Sequence, residues 1–333
     1  MTRVAIVYDA TAPECAETGA GEAAAVTSVL EVIADVARVA EGDGMSVRRV
    51  ALPGDPRAML HAVAAIDEDV IVNFAECWRG VTRFEVGVAW ALELRGIPYT
   101  GADPRALALC LEKPLTRAVL ADAGVPVPRG FVAHTIEDTD AVPEEGTWIV
   151  KPAAQDASHG IVRESVARGR DALRARVGAL EGRGLGPALI EEYIDGRELN
   201  ASMLDLGGVL RVLPIAEIDY SNFPTGAPRI LTYAAKWEPS SEDYRGSPAV
   251  LAELSPHLRA RVEAVALDVW RALGLRDYGR VDLRLDARGP FVIDVNPNPD
   301  ISRGAGQCLA AERAGLSYES LVRGIIAEAH ARS

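Results

Sequence analysis

Long apolar runs are missing from this chain. Nowhere do eighteen residues pass without a polar one, so no membrane-spanning helix is expected, and "MTRVAIVYDATAPE" at the start is too short an apolar stretch for a secretory signal. Cysteine is scarce. The four residues (Cys15, Cys77, Cys110, Cys308) are far apart and form no CxxC, and a reduced, cytoplasmic protein is the simplest expectation. Positive charge is outweighed, with 35 Lys and Arg against 48 Asp and Glu and a net charge of −13, which leaves no clustered basic face for a nucleic-acid backbone. A nucleotide is not excluded, because it needs only a few local lysines. The five histidines (His61, His134, His159, His257, His330) show no paired spacing, so a zinc enzyme is not expected. No GxxxxGK[ST] loop occurs, and the Gly19-Ala-Gly21 element begins about ten residues after its strand instead of forming a tight dinucleotide turn.

What is present is enough apolar material for a sizeable core or two to three smaller ones, at 49% of 333 residues, although aromatics contribute only 5%. The first hundred residues alternate strand and helix patterns. "RVAIVY", "SVRRVAL", "DVIVNF" and a short "IPYTG" read as strands; Glu22 to Glu41, "PRAMLHAVAAI" and "RFEVGVAWALELRG" read as helices. That rhythm predicts a parallel sheet wrapped by helices. After Gly101 it breaks. Two helical stretches, around 104–111 and 114–123, lead into strand patterns at "TWIVKP", "PALIEEYI" and "ELNASMLDL", with a helix near 168–180 between the first two. "VLRVLPIAEI" adds one strand, and 219–248 reads as a long polar loop of the length that usually serves function. A helix over 256–273 precedes a hairpin, and two short helices follow it. The expected class is α/β at the front and α+β behind, divided into 1–110, 111–190 and 191–333.

The hairpin "RVDLRLDARGPFVIDVNPNP" carries the chemistry. In its first strand Val281, Leu283 and Leu285 share one face, opposite Arg280, Asp282 and Arg284; in its second, Phe291, Ile293 and Val295 oppose Asp294 and Asn296. Matching apolar faces sets Asp282 across from Asp294 and Arg280 across from Asn296. Directly opposed carboxylates repel, and a hard cation resolves the conflict: Asp, Asp and Asn offer only oxygens, which suits Mg²⁺ completed by water and phosphates. A solvated face with Arg280 and Arg284 neutralising the acids is the competing reading. "WIVKPAAQDASHGI" places Lys151 at a strand end before a small polar loop, a place where backbone N–H groups can approach phosphate. Glu191 and Glu198 in "LIEEYIDGREL" sit in apolar strands, and buried glutamates need partners; edge-strand solubility is the plainer account.

Taken in order, "EKPLTRAVLADAGVPVP", "WIVKPAAQDASHGI", "LIEEYIDGRELN", Lys236 in the long loop and "GRVDLRLDARGPFVIDVNPNP" resemble the ATP-grasp superfamily, in its D-alanine:D-alanine ligase-like branch, over roughly residues 70–330. The resemblance implies an N-terminal parallel-sheet (pre-ATP-grasp) domain followed by two α+β subdomains with ATP between them. It implies a ligase in which a carboxylate takes the γ-phosphoryl group and an amine then displaces phosphate to give an amide. By the same likeness Lys113 and Lys151 would contact phosphates, under a loop carrying Ser158. Glu191 and the backbone near Ile194 would face adenine, and Glu198 the ribose. Lys236 would reach the transferred phosphoryl group, Asp282, Asp294 and Asn296 would hold one or two Mg²⁺ ions (with Mn²⁺ as a substitute), and Arg280 would stabilise charge on the acyl phosphate or tetrahedral intermediate. Family analogy suggests a homodimer; small carboxylates and amines are the expected partners.

The departures gather at the substrate end. "YDATAPECAETGAGEAA" lacks the family's usual glycine-rich turn and Ser/Glu element, leaving Glu14, Glu17 and Glu22 as candidates. "NFAECWRGVTRFE" offers Glu76, Arg83 and Glu85. Asp300 follows Pro299 where glycine is usual, Ser302 and Arg303 come next, and Trp237 follows Lys236 where tyrosine is common. A specialised amino-acid-like substrate is therefore expected in place of D-alanine, with Glu76, Arg83, Trp237, Asp300, Ser302 and Arg303 as its contacts. The alternative is a nucleotide-binding regulatory protein that has lost catalysis.

Overall fold

The computed structural model describes residues 1–10, 20–155 and 158–332, without the side chains of 20–28. Glu14, Glu17, Cys15 and the Glu22 side chain lie outside the described residues. Within it, three sheets follow one another along the chain. The first is parallel, in the order β2 (Ser46–Leu52), β1 (Arg3–Asp9), β3 (Val70–Phe74). Every residue of β3 is buried, as parallel strands with helices on both faces require. Those helices are α1 (Ala20–Gly42), α2 (Pro56–Ala64, with Asp55 capping Ala58 N–H and Pro56 in its first turn) and α3 (Glu85–Arg95). The expected strand at "IPYTG" reduces to a single parallel bridge, Ile71 to Tyr99. Pro98 has no N–H, so the segment can add only the Pro98 carbonyl and the Thr100 N–H to Ile71.

Helices α4 (Pro104–Leu111) and α5 (Lys113–Asp122) lead to the second sheet, antiparallel in the order β4 (Gly130–Ala133), β7 (Ala188–Glu192), β5 (Thr147–Pro152), β6 (Val166–Arg168). Helix α6 (Arg170–Glu181) covers one face, where Leu173, Val177 and Leu180 meet Trp148, Val150 and Ile190. Strand alternation sends Ile149, Lys151 and Glu191 to the other face. Because β7 runs to Glu192, a division at 190 would cut a strand; the change of sheet falls in the turn 193–196.

The third sheet runs β11 (Ala249–Leu251), β10 (Ala216–Ile218), β8 (Arg197–Leu206), β12 (Tyr278–Asp286), β13 (Gly289–Asn296), with β9 (Val209–Val212) also on the outer edge of β8. "VLRVLPIAEI" is thus two strands instead of one, interrupted where Pro214 cannot donate to the ladder. The segment 219–248 is less a loop than expected: it folds α7 (Tyr233–Trp237), capped by Thr232, and α8 (Glu242–Arg245), capped by Ser241. Helix α9 (Pro256–Leu273) packs Val262, Ala266, Val269 and Trp270 against Leu199, Ala201, Val281 and Leu283.

Helices α10 (Gly306–Arg313) and α11 (Tyr318–His330) return to the first sheet, where Leu321, Val322, Ile325 and Ile326 share a core with Val4, Ile6, Ile33 and Val72. The packing therefore crosses the expected linear divisions. A second tie joins the same ends. Asp277 is buried in a left-handed conformation (φ 61°); it accepts from Gly101 N–H at 2.7 Å and from the Arg332 guanidinium, which also donates to the Tyr99 carbonyl at 2.6 Å. Gly101 (φ +84°) has no room for a side chain, since a Cβ would lie 2.5 Å from Asn298 Oδ1.

Arg332→Ala should leave the Asp277 carboxylate buried without its counter-ion. The expected loss is about 2–3 kcal/mol, less than for a fully buried pair because Arg332 is partly exposed. It should appear as a lower urea midpoint at unchanged m value.

Candidate functional site

A cavity of about 950 Å³ opens between the inner faces of the second and third sheets and runs to the C-terminal ends of β1 and β3. The ends of parallel strands are where open α/β sheets take ligands.

Its floor is a polar grid laid out by strand alternation. On β12, Arg280, Asp282 and Arg284 stand at successive same-face positions; their partners on β8 are Ser202, Asn200 and Glu198, and on β13 Asn296 and Asp294 pair with Arg280 and Asp282. The register expected for the two aspartates is the one observed. Beyond it the ladder shifts, so that Leu283 pairs with Val292 and Ile293 is the extra residue of a bulge. Ile293 consequently lines the cavity while Val292 and Val295 enter the core, correcting the expectation that Ile293 shares the buried face.

Each carboxylate of the opposed pair has its own cation. The Arg280 guanidinium forks onto Asp282 at 2.7 and 3.0 Å, where the Asn200 amide also donates at 2.8 Å and that of Asn296 at 3.3 Å. Lys113, from the first turn of α5, donates to Asp294 Oδ1 at 2.7 Å. Burial pushes the Asp294 carboxyl up, yet Lys113, Lys151 and Lys236 together hold it below the ordinary carboxylate range. Arg284 takes no part in this neutralisation. It turns to Glu198 instead, at 2.7 Å.

Lys151 donates to Glu191 at 2.8 Å, a carboxylate only 3% exposed, and Arg117 stands 3.8 Å from the same group. Ile194 lines the cavity from the turn 193–196, and a Cβ at Gly196 in that turn would run into the Leu285 carbonyl, so only glycine lets the turn lie against the hairpin. Above the floor, 219–248 is fastened to the loop after β5. The Ser158 hydroxyl donates to the Leu231 carbonyl at 3.0 Å, Tyr233 N–H to the Ile161 carbonyl at 2.9 Å, and the Thr232 hydroxyl to buried Asp243 at 2.8 Å. Arg163 holds the other oxygen of Asp243, and the His159 ring packs edge-on against Tyr233. Lys236 and Trp237 reach the cavity from the last turn of α7.

The far end, under the first sheet, carries Asp9, Glu76, Glu85, Cys77 and Asp300. The Cys77 thiol donates to Asp9 at 3.4 Å and is pushed up to about 12 by burial and by that carboxylate, which makes it a poor nucleophile. Asp300 accepts from the Ser302 N–H and hydroxyl at 2.7 and 2.8 Å. Three expected substrate contacts do not line the cavity. Arg83 lies over the Phe84 ring; Ser302 is folded back on Asp300; Arg303 is held by Glu319 at 2.8 Å and by the Tyr318 ring. Asn200 in the grid and Tyr220, whose hydroxyl donates to Glu198 at 2.7 Å, went unnoticed as site groups, although the polar residues at every second place in "ELNAS" signalled the first.

The donor set suits a hard divalent ion. Among the described residues no three His, Cys, Asp or Glu gather into a metal cluster, so an ion would rest on two carboxylates, one amide oxygen and oxygens from outside the protein, the pattern of Mg²⁺ and not of a closed structural site. No helix among the described residues is long and apolar enough to cross a membrane.

Residues 133–327 match the family model described as D-ala D-ala ligase C-terminus. The chain is 34% identical to the uncharacterized protein y4sG of Sinorhizobium fredii, over 84% of this chain and 78% of that one. It is 33% identical to a D-alanine–D-alanine ligase of Desulforudis audaxviator, over 72% and 76%. In structure it is similar to the D-alanine–D-alanine ligase of Bacillus anthracis complexed with ATP (TM-score 0.74, 20% identity, 98% of this chain and 96% of that chain). It is also similar to the VanG D-Ala:D-Ser ligase of Enterococcus faecalis (TM-score 0.72, 16% identity, 98% and 99%).

Arg163→Ala should free one end of the segment 219–248. Losing a charge-assisted bond from a partly exposed arginine corresponds to about 1–2 kcal/mol, or roughly tenfold more opening. Limited proteolysis should then cut within 219–248 several-fold faster while the global melting temperature changes little.

Proposed function

The chain belongs to the D-alanine–D-alanine ligase family, the ADP-forming ligases of the ATP-grasp fold, and on that premise we propose that it joins a carboxylate to an amine through an acyl phosphate. It is an ATP-dependent ligase. The finer reading is that both substrates are amino-acid-like and that they differ from the D-alanine of its named relatives. The observation that carries the acyl-phosphate route is the opposed pair Asp282 and Asp294, with Arg280, Lys113, Lys151 and Lys236 converging on it from four elements. Phosphoryl transfer asks chiefly for positioning and charge neutralisation, and this arrangement offers both.

In this reading Lys113 and Lys151 take phosphate oxygens, exchanging their carboxylate partners for the nucleotide. Glu191 and the backbone at Ile194 meet the adenine, Glu198 the ribose. Lys236 approaches the phosphoryl group being transferred, and Ser158 helps the loop cover it. Asp282, Asp294 and Asn296 would hold one or two Mg²⁺ ions, which when bound neutralise phosphate charge. The carboxylate oxygen of the first substrate forms a bond to the γ-phosphorus as the bond to ADP breaks. The amine then attacks the acyl carbon, phosphate leaves, and the amine gives up a proton. Arg280 stabilises the negative charge of the acyl phosphate or of the tetrahedral intermediate that the amine forms from it. The segment 219–248 acts as a lid and keeps water from the acyl phosphate.

The specialised substrate is supported by the acidic end of the cavity. Glu76, Asp9 and Asp300 there suit ammonium groups, and Trp237 on the lid limits the size of what lies beneath it.

Incubation with ATP, Mg²⁺, amino-acid pools and hydroxylamine tests the reading. A hydroxamate formed together with ADP is expected, and ADP release with no trappable acyl group would overturn the acyl-phosphate route. Asp294→Ala should lower ADP release at least about a hundredfold, the scale of removing one electrostatic stabiliser, with an unchanged circular-dichroism spectrum. Trp237→Ala should shift the ranking of accepted substrates more than the KM for ATP; equal losses for every substrate would remove Trp237 from selectivity.

A further inference from the structure

Arg284 is the one member of the β12 polar row that the proposed chemistry leaves unused. Same-face positions on a strand are about 7 Å apart, so Arg280, Asp282 and Arg284 form a line leading from the reacting end of the cavity toward the turn 193–196. Arg284 is only 4% exposed, yet it lines the cavity. A buried guanidinium is tolerated only when its charge and its donors are satisfied, and an apolar side chain of equal size would usually be no less stable.

Its partners come from three separate elements. It donates to Glu198 Oε2 on β8 at 2.7 Å, to the Gly196 carbonyl in the turn at 3.0 Å, and to the Arg229 carbonyl in the lid. Tyr193 and Tyr220 present their rings to it at 5.8 and 5.7 Å. The Tyr220 hydroxyl, at the root of the lid, donates to the same Glu198 Oε2 at 2.7 Å, while Tyr193 donates to the Arg229 carbonyl at 3.2 Å. Both donors to Glu198 thus fall on one oxygen, and Oε1 is left as the acceptor toward the cavity.

We infer that Arg284 is a positioning residue that makes Glu198 a single-oxygen acceptor for one ribose hydroxyl of the nucleotide and fastens the lid root to the turn beside it. The inference rests on the proposed placement of the nucleotide. A carboxylate with both oxygens open takes a ribose diol in two bonds; with Oε2 already taken twice, Glu198 reads one hydroxyl. Tyr220 stays protonated as a donor, because burial and the Glu198 charge raise its pKa. Since the lid carbonyl shares the same guanidinium, loss of Arg284 loosens the sugar contact and the lid together.

The test is calorimetric titration of the full chain with ATP, 2′-deoxy-ATP and 3′-deoxy-ATP in Mg²⁺. The unchanged protein should bind one deoxy analogue about tenfold or more weakly than ATP and the other within about twofold, the scale of one hydrogen bond to a charged group. Arg284→Met should weaken ATP by about tenfold and bring all three nucleotides to similar affinity. Arg284→Lys, which keeps the charge but cannot span three acceptors, should retain more of the ATP affinity than Arg284→Met and lose part of the discrimination. Either folded variant keeping the full discrimination overturns the inference, as do equal penalties for both analogues in the unchanged protein, a result that needs no variant to fold. Equal binding of all three nucleotides by the unchanged protein overturns this inference alone. Absence of ATP binding overturns the nucleotide reading and this inference with it.

Discussion

Two carboxylates on adjacent strands, set opposite each other by register, are the constraint around which the rest of the site is arranged. Side by side in a largely buried face, Asp282 and Asp294 repel unless positive charge is brought to them. That charge arrives from separate parts of the chain: Arg280 two residues along the same strand, Lys113 at the start of a helix after the first sheet, Lys151 at the end of a strand in the second, and Lys236 from a short helix in the lid. Each element that approaches the pair does so where its cation lowers the same electrostatic conflict. Fold and chemistry are coupled here, since a site that gathers cations around opposed acids is also one that can hold a charged phosphate chain.

The connections between sheets are where this arrangement is fixed and where it can move. The turn 193–196 lies flat against the hairpin because Gly196 has no side chain, and Arg284 bonds its carbonyl. The lid is fastened at one end through Asp243, Thr232 and Arg163 and at the other through Tyr220 and the Arg229 carbonyl. These contacts are few and polar, in contrast to the continuous apolar packing of α9 on β8 and β12. Local opening is drawn from segments held in this way.

Much of this was legible in the sequence. Strand alternation alone paired Asp282 with Asp294, because a slip of one residue would have exposed every apolar side chain of the hairpin. The parallel first sheet and the helix 256–273 were equally plain. The bulge at Ile293 was not, since Phe291, Ile293 and Val295 alternate perfectly and only three-dimensional closure of the sheet decides which residue is extra. "IPYTG" had strand composition, and a single proline limited it to one bridge. Arg303 and Ser302 were placed at the substrate by their order along the chain, but local partners turned them away. Arg284 looked like a counter-ion for the nearest aspartate, and only the position of β8 gave it Glu198.

The return of α10 and α11 to the first sheet has a consequence for how the molecule is made. Val4 and Ile6 are synthesised some three hundred residues before Leu321 to Ile326, the side chains that complete their core. Until then one flank of the early sheet stays uncovered, and its apolar strands depend on helpers or on slow emergence to avoid sticking to other chains. A core begun by an early segment is thereby closed only by a much later one.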